Sequence, residues 1–160
     1  MKWRRWKNTI DADQPYWQSL SLSQMSSQQW EGLCDGCGRC CLHKLETPSS
    51  CEFTCVACKL LDVDSCRCKN YSQRQAKVPD CLVLSAAMSA KLYSWLPFSC
   101  AYRRLAEGRG LASWHPLVSG SLNTVRSAGV CVTELAITER EALRFDTLDA
   151  YVTSLSSPPE

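Results

Sequence analysis

Four thiols fall within eight residues in Cys34-Asp35-Gly36-Cys37-Gly38-Arg39-Cys40-Cys41. Thiolates are soft, strongly donating ligands, suited to Zn²⁺, Cu⁺ and iron–sulfur clusters and poorly matched to Mg²⁺ or Ca²⁺. Two intervening residues separate Cys34 from Cys37 and Cys37 from Cys40, which lets successive sulfurs reach one centre, and Gly36 and Gly38 let the backbone fold around it. The octet reads as a metal site. Its opening also matches the start of a bacterial ferredoxin run, but there the fourth thiol comes after three residues and precedes Pro. Here Cys41 follows at once and Leu42 comes next, so the type of centre stays open. The adjacent Cys40 and Cys41 are expected to point in different directions, serving two ions, or one ligating while the other packs behind it. Cys58, Cys66, Cys68 and Cys81 supply further thiols, enough for two tetrahedral sites. For Cys51, Cys100 or Cys131 alone, a small buried hydrophobe is an equally good reading.

Other site chemistries fit less well. A c-type haem attachment needs His directly after C-x-x-C, a position held by Cys41 or Lys59, with His43 displaced. A thioredoxin-like motif wants a strand before its first Cys, where this chain suggests a helix. A Cys–His nucleophile drawn from His43 or His115 has little specificity among twelve cysteines. His43 is read as a ligand, a donor to a thiolate, or an exposed side chain. Trp114-His115-Pro116 is read as the rim of a site or a surface turn anchored by Trp. Asp35, Asp80 and Arg39 stand beside thiols and are placed to tune them electrostatically. No paired carboxylates, phosphate loop or Ser/His/Asp set rises above background, so no enzymatic activity is assigned.

The 160 residues suffice for one domain with its own core. The expected organisation is a flexible tail over 1–14, a single Cys-cluster domain over 15–155, and a flexible end over 156–160. Eighteen Lys and Arg against sixteen Asp and Glu give a net charge of +2, too little to draw in nucleic acid. No run of about 18 apolar residues is present, so no membrane span is expected. Residues 1–10 carry basic and aromatic side chains without an apolar stretch behind them, so a cytoplasmic location is expected. There thiols stay reduced and clustered cysteines bind metal more often than they pair.

The elements that must position these thiols are mostly short. Ser26 and Gln29 have the spacing of a capping box, predicting a helix over Ser27–Leu33 that turns Trp30 inward and delivers Cys34. The span from Cys34 to about Val78 shows little periodicity, and so long a loop in a compact domain implies ordering by metal–thiolate bonds. Within it a short helix is expected around Val56–Leu61. Beyond it, buried helices are predicted over Asp80–Leu92 and over Ser99–Glu107, the latter ended by Gly108. A small β-hairpin is expected within Asn123–Ile137. A second capping box at Thr138 and Glu141 precedes an amphipathic C-terminal helix carrying Leu148, Tyr151, Val152 and Leu155. The fold class is therefore α+β, mainly helical, with a loop-rich Cys-cluster region ordered by metal and a possible small hairpin.

The octet with Leu42-His43-Lys44-Leu45, then Val56-Ala57-Cys58, Cys66-Arg67-Cys68-Lys69-Asn70-Tyr71, Pro79-Asp80-Cys81, Trp95-Leu96-Pro97, Cys100-Ala101-Tyr102-Arg103 and Trp114-His115-Pro116-Leu117, closely resembles YcgN-type bacterial proteins. These form a subgroup of the YkgJ-like CxxxCxxCC cysteine-cluster family, described as zinc- or iron-chelating. The resemblance covers roughly residues 15–150. It implies metal ligands at Cys34, Cys37, Cys40, Cys41, Cys58, Cys66, Cys68, Cys81 and Cys100. The first spacing here is C-x2-C rather than C-x3-C, and Cys51, Cys55 and Cys131 fall outside the pattern, so of Cys55 and Cys58, which are also separated by two residues, only Cys58 keeps its support. The leading expectation is a metal-binding protein with a polynuclear or multi-site thiolate centre of zinc or iron. One alternative is an iron–sulfur redox protein or enzyme acting with a partner. The other is a protein-interaction module stabilised by structural zinc. Neither a protein partner nor a substrate is indicated by any motif.

Overall fold

The computed structural model describes residues 14–142 and 147–155. The expected N-terminal tail, but for Gln14, and the expected C-terminal end over 156–160 lie outside them. The chain enters through one helical turn, α1 (Tyr16–Ser19), and Ser26 then opens α2 (Ser27–Glu31). The capping box forms: Ser26 Oγ accepts from the Gln29 N–H at 3.2 Å, and Gln29 Oε1 accepts from the Ser26 N–H at 2.9 Å. Two N-terminal donors that no helical carbonyl can reach are thereby satisfied. The helix stops short of the expected Leu33. Gly32 loosens the last turn, which closes with the Leu33 N–H on Trp30 O at 3.1 Å. Leu33 is thereby driven fully into the core, and Cys34 is the next residue.

The span read as a loop contains a β-hairpin. β1 (Leu42–Glu46) pairs antiparallel with β2 (Cys51–Ala57), Leu42 opposite Ala57 and Glu46 opposite Cys51, with an irregularity between Leu42 and Lys44. The turn is held by Thr47 and Ser50. The helix expected at Val56–Leu61 is thus corrected to the end of a strand and a turn. Phe53, Thr54 and Val56 favour the pleated backbone, and Thr54 and Val56 bury themselves against the sheet's neighbours. A second sheet of two short strands, β3 (Leu61–Asp62) and β4 (Arg67–Cys68), sets Leu61 opposite Cys68. Leu61 reaches the core from a strand.

After the short α3 (Arg74–Lys77), residues 80–89 run irregularly and only α4 (Ala90–Ser94) is helical. The long helix predicted over Asp80–Leu92 is replaced by turns: the Met88 N–H closes on Ser85 O at 3.1 Å and the Leu92 N–H on Ser89 O at 3.0 Å, serines being favoured at turns and helix starts. Leu84 and Met88 still pack on the core, while Leu82 and Val83 stay exposed. α5 (Ala101–Ala106) matches expectation, and Gly108 at φ +73° ends it with the Arg109 N–H on Arg104 O at 2.8 Å.

α6 (Pro116–Ser119) and α7 (Asn123–Ser127) follow. The hairpin expected within 123–137 is therefore overturned: Thr124 spends its hydroxyl on Ser121 O and Trp114 O, both at 2.7 Å. Gly129 at φ +69° then caps the helix, with the Val130 N–H on Val125 O. Only β5 (Ile137–Thr138) is extended there, lying parallel to β2 with Val56 opposite Ile137. α8 (Glu139–Ala142) starts with the expected capping box, Glu141 Oε2 accepting from the Thr138 N–H at 2.7 Å and Thr138 Oγ1 from the Glu141 N–H at 3.3 Å. The expected C-terminal helix is one 3₁₀ turn over Leu148–Tyr151. Beyond it, Val152 bridges Thr54, and the Thr153 N–H donates to Phe53 O at 2.8 Å, so the edge of β2 captures the chain in extended form.

The fold is α+β, built on three small clusters: Leu33, Tyr93, Leu96, Ala101 and Tyr102; Cys37, Ala112, Trp114, Val125 and Val130; and Leu42, Ala57, Leu61, Cys66 and Val132. Leu33, Cys37 and Leu42 each belong to a different one. The thiol octet is pinned where the three clusters meet.

Candidate metal centre

The octet's backbone is shaped by local donors and two left-handed glycines. Asp35 Oδ1 accepts the Cys37 N–H at 3.0 Å, the Cys41 N–H closes on Gly38 O at 3.0 Å, and the Val132 N–H donates to Cys37 O at 3.0 Å. Gly36 and Gly38 have φ of +73° and +77°. A Cβ at Gly36 would lie 2.8 Å from the Arg67 guanidinium carbon, and one at Gly38 2.8 Å from Val132 Cγ2. The turn needs glycine at both positions, once for the conformation and once for the approach.

Two buried polar side chains brace it. Arg39, only 4% exposed, donates from Nε to Val130 O at 2.6 Å, from one terminal nitrogen to Ser99 Oγ at 3.2 Å and from the other to Gly129 O at 3.2 Å. Burial lowers its pKa, while the negative charge available at Cys37, Asp35 and Cys131 opposes that shift. His115, 2% exposed, caps α6 by accepting the Leu117 N–H at Nδ1 (3.1 Å), and its Nε2 lies 3.0 Å from Leu33 O. Nε2 therefore carries the proton and donates, tying residue 33, just before Cys34, to the Trp114 turn. Burial lowers the His115 pKa. Of the two readings of Trp114-His115-Pro116, neither a site rim nor a surface turn describes it: Trp114 and His115 are both buried, and they scaffold the loop from behind.

Cys40 Sγ and Cys41 Sγ lie 4.0 Å apart. The expectation that adjacent cysteines diverge is corrected by the 3₁₀ turn over Arg39–Cys41 that follows the left-handed Gly38, which brings both sulfurs together. Their contact draws the Cys40 thiol down to about 7, helped by Lys44 against burial, and raises Cys41. Cys41 thus keeps its proton and donates to a Cys40 thiolate. Lys44 is held at this spot by Cys40 O and Leu42 O, at 2.8 and 3.1 Å from Nζ. Burial, Cys40 and Asp35 push the Cys34 thiol up to about 11, against the Gly36 N–H and Arg67. Burial, Asp35 and Cys40 likewise raise Cys37.

Remote thiols join this field. The Cys58 N–H donates to Cys41 O at 2.9 Å, which continues the β1–β2 ladder and sets the two cysteines side by side. Cys41 is raised in part by Cys58 and Cys68. Cys81 is raised by burial, and then by Cys58, Cys68 and Cys40 against Arg74. Cys100, at the start of α5, is raised by burial, Cys40 and Asp35. Eight of the nine expected ligands, Cys34, Cys37, Cys40, Cys41, Cys58, Cys68, Cys81 and Cys100, therefore share one electrostatic neighbourhood around Cys40 and Cys41. Cys66 is buried behind Gly38, its Sγ 3.3 Å from Thr133 Oγ1 and 3.6 Å from Val63 O, and it interacts with Cys131. Cys51 and Cys55 lie on β2. His43 Nε2 pairs with Glu139 Oε1 at 2.8 Å, and that oxygen also accepts the Lys59 N–H at 3.0 Å.

The 4.0 Å separation suits a shared edge of a tetrahedral thiolate site, for which metal–sulfur bonds of about 2.3 Å imply roughly 3.8 Å between sulfurs. Among the described residues no three His, Cys, Asp or Glu side chains close tightly enough to enclose an ion. In type, a donor set of thiols suits a thiophilic metal. Arg67 and the bracing role of His115 escape sequence reading because their positions follow from tertiary packing. Cys40-x3-Lys44 is the one local signal that could have placed a cation beside the thiol pair.

No protein-family model matches the chain, and no solved structure matches it. Among curated proteins, the chain is 57% identical over 130 residues to a UPF0260 protein of Gluconacetobacter diazotrophicus, covering 80% of this chain and 81% of that one. It is 45% identical over 152 residues to a UPF0260 protein of Parvibaculum lavamentivorans, covering 94% and 99%. It is 46% identical over 134 residues to the UPF0260 protein YcgN of Escherichia coli, covering 82% and 87%. Among the described residues no helix is long and apolar enough to cross a membrane.

Proposed function

The chain belongs to the UPF0260 family of bacterial proteins, and we propose that it is a metal-binding protein whose thiolate centre holds zinc or iron. One observation carries this reading: Cys40 Sγ and Cys41 Sγ lie 4.0 Å apart, and the Cys58 N–H on Cys41 O sets a thiol from seventeen positions along the chain beside that pair. Cys34, Cys37, Cys40 and Cys100 would hold one part of the centre, and Cys41, Cys58, Cys68 and Cys81 the other. Bound zinc would add folding free energy, and an iron–sulfur cluster would add a redox couple. Eight thiols exceed the four of one tetrahedral ion, which favours a polynuclear or two-site centre.

The chain's own part is to gather and neutralise. Burial keeps Cys37 and Cys100 protonated at neutral pH, so binding must release their protons and strengthens as pH rises. The Cys40 thiolate is the natural first contact, and Lys44, Arg67 and the buried Arg39 offset the charge that builds up. The test is elemental analysis of anaerobically isolated protein together with its visible spectrum. Zinc without colour supports the structural reading, and iron with cluster absorption supports the redox one. A folded, metal-free protein rejects both.

A further inference from the structure

We propose that Cys66 and Cys131, neither of them among the eight thiols assigned to the centre, form a dithiol that a small disulfide such as oxidised glutathione converts to an intramolecular disulfide. The proposal goes beyond metal binding and does not depend on it. The two cysteines are far apart in the chain, on segments fastened to each other on both sides of the pair. On one side the Arg126 guanidinium donates to Asp64 O at 2.8 Å, and on the other Thr133 Oγ1 lies 3.3 Å from Cys66 Sγ. Between these ties both cysteines pack into the cluster of Leu42, Ala57, Leu61 and Val132, and the Cys131 thiol shares a hydrogen bond with that of Cys66. The backbone at Cys66 points the same way. Among the described residues it is the one non-glycine residue with positive φ, +56°, a left-handed conformation that glycine or asparagine adopts at less cost. A side chain held there against that cost marks a site where the thiol is used. The segment around Cys131 also braces the octet: the Val132 N–H donates to Cys37 O, Val130 O accepts from Arg39, and Val132 Cγ2 and Cys66 Cβ both stand over Gly38. The disulfide would therefore lock to each other the two segments that back the octet.

Exchange begins at Cys131, which is half-buried where Cys66 is buried. Its thiolate attacks one sulfur of oxidised glutathione, forming a mixed disulfide and releasing one glutathione thiolate; Cys66 then attacks the Cys131 sulfur and releases the second. The two protein thiols lose two electrons and two protons, and one glutathione disulfide becomes two glutathione thiols. Burial and Cys66 push the Cys131 thiol up to about 11, against Arg126, which slows the first step, so the equilibrium is the quantity to measure. The full chain, isolated anaerobically, would be equilibrated in buffers of rising oxidised-to-reduced glutathione ratio, its remaining thiols alkylated, and its tryptic digest read by mass spectrometry without reduction. Trypsin leaves each cysteine alone in its peptide, Cys66 in residues 60–67 and Cys131 in residues 127–140. The two peptides should be joined in most chains in the most oxidising buffer, separate under dithiothreitol, and never join in Cys131→Ser, with circular dichroism to establish that the variant folds. Recovery of both wild-type peptides as alkylated or singly glutathionylated species overturns the proposal and leaves the pair as core packing. Preferential pairing of either cysteine with any other also overturns it. Protection of Cys66 from alkylation until a chelator is added overturns it as well and returns Cys66 to the metal.

Discussion

Replacing Gly38 by Ala should be far more damaging than the same change at Gly120, although both residues have nearly the same backbone, φ +77° and +74°. At Gly120 a Cβ meets nothing within 4 Å, so Gly120→Ala should cost only the left-handed penalty of about 1 kcal/mol. At Gly38 the new Cβ would stand 2.8 Å from Val132 Cγ2. Val132 is fully buried, and its branched side chain has little rotameric freedom with which to give way. Overpacking of that kind adds roughly 1–3 kcal/mol, giving about 2–4 kcal/mol in all. Gly36→Ala should fall between the two, because its obstacle is the mobile guanidinium of Arg67. Urea unfolding reads the series directly: with a slope of about 2 kcal/mol/M, Gly38→Ala should lower the midpoint by about 1–2 M and Gly120→Ala by about 0.5 M. Gly38→Ala within about 0.5 kcal/mol of Gly120→Ala would refute the claim that Val132 closes the octet from behind.

Arg39→Met should destabilise by about 3 kcal/mol or more, since buried carbonyls at Val130 and Gly129 lose their donor; Arg39→Lys should not restore the melting temperature, an ammonium being unable to span the same acceptors. For His115, burial lowers the folded pKa below the unfolded value of about 6.5. The unfolded chain therefore binds the proton more readily, and the stability this residue contributes is complete above that value and lost as pH falls through the folded pKa. Wild type should lose more stability than His115→Gln between pH 7.5 and pH 5, and parallel losses would remove His115 from the account. His43→Ala should cost at most about 1 kcal/mol, its pair with Glu139 being half-exposed, and should leave the metal content unchanged on elemental analysis. Cys58→Ser and Cys81→Ser should each lower bound metal per chain, whereas Cys51→Ser should not.

What the sequence made legible was local chemistry. Ser26 with Gln29 and Thr138 with Glu141 state their caps within four residues, and Gly108 states the end of α5. Failures came where distant backbone decides. Leu148 to Leu155 carries a helical pattern, yet the open edge of β2 takes it up as an extended chain through Val152 and Thr153. Val125 and Thr124 are β-branched, but Ser121, Trp114 O and the Gly129 cap hold them in α7. The span after Cys34 was read as a loop that only metal could order, and the β1–β2 ladder supplies part of that order from backbone alone. At the site, the octet was visible in the spacing, and the expectation that remote cysteines join it came from family resemblance. The closeness of Cys40 to Cys41 was not, because it depends on the positive φ of Gly38. Nor was the withdrawal of Cys66 behind the loop, which depends on contacts with Thr133 and Cys131.

Chelator-dependent alkylation, mapped residue by residue by mass spectrometry on anaerobically isolated protein, tests the convergence of these thiols on one metal most directly. Cys34 and Cys40 are exposed, and Cys58 and Cys68 half-buried, as are Cys51 and Cys55, so burial alone does not separate the first four from the last two. The account predicts that Cys34, Cys40, Cys58 and Cys68 resist alkylation until a chelator removes the metal, while Cys51 and Cys55 react at the same rate throughout. Equal reactivity of all six before and after chelation would contradict it.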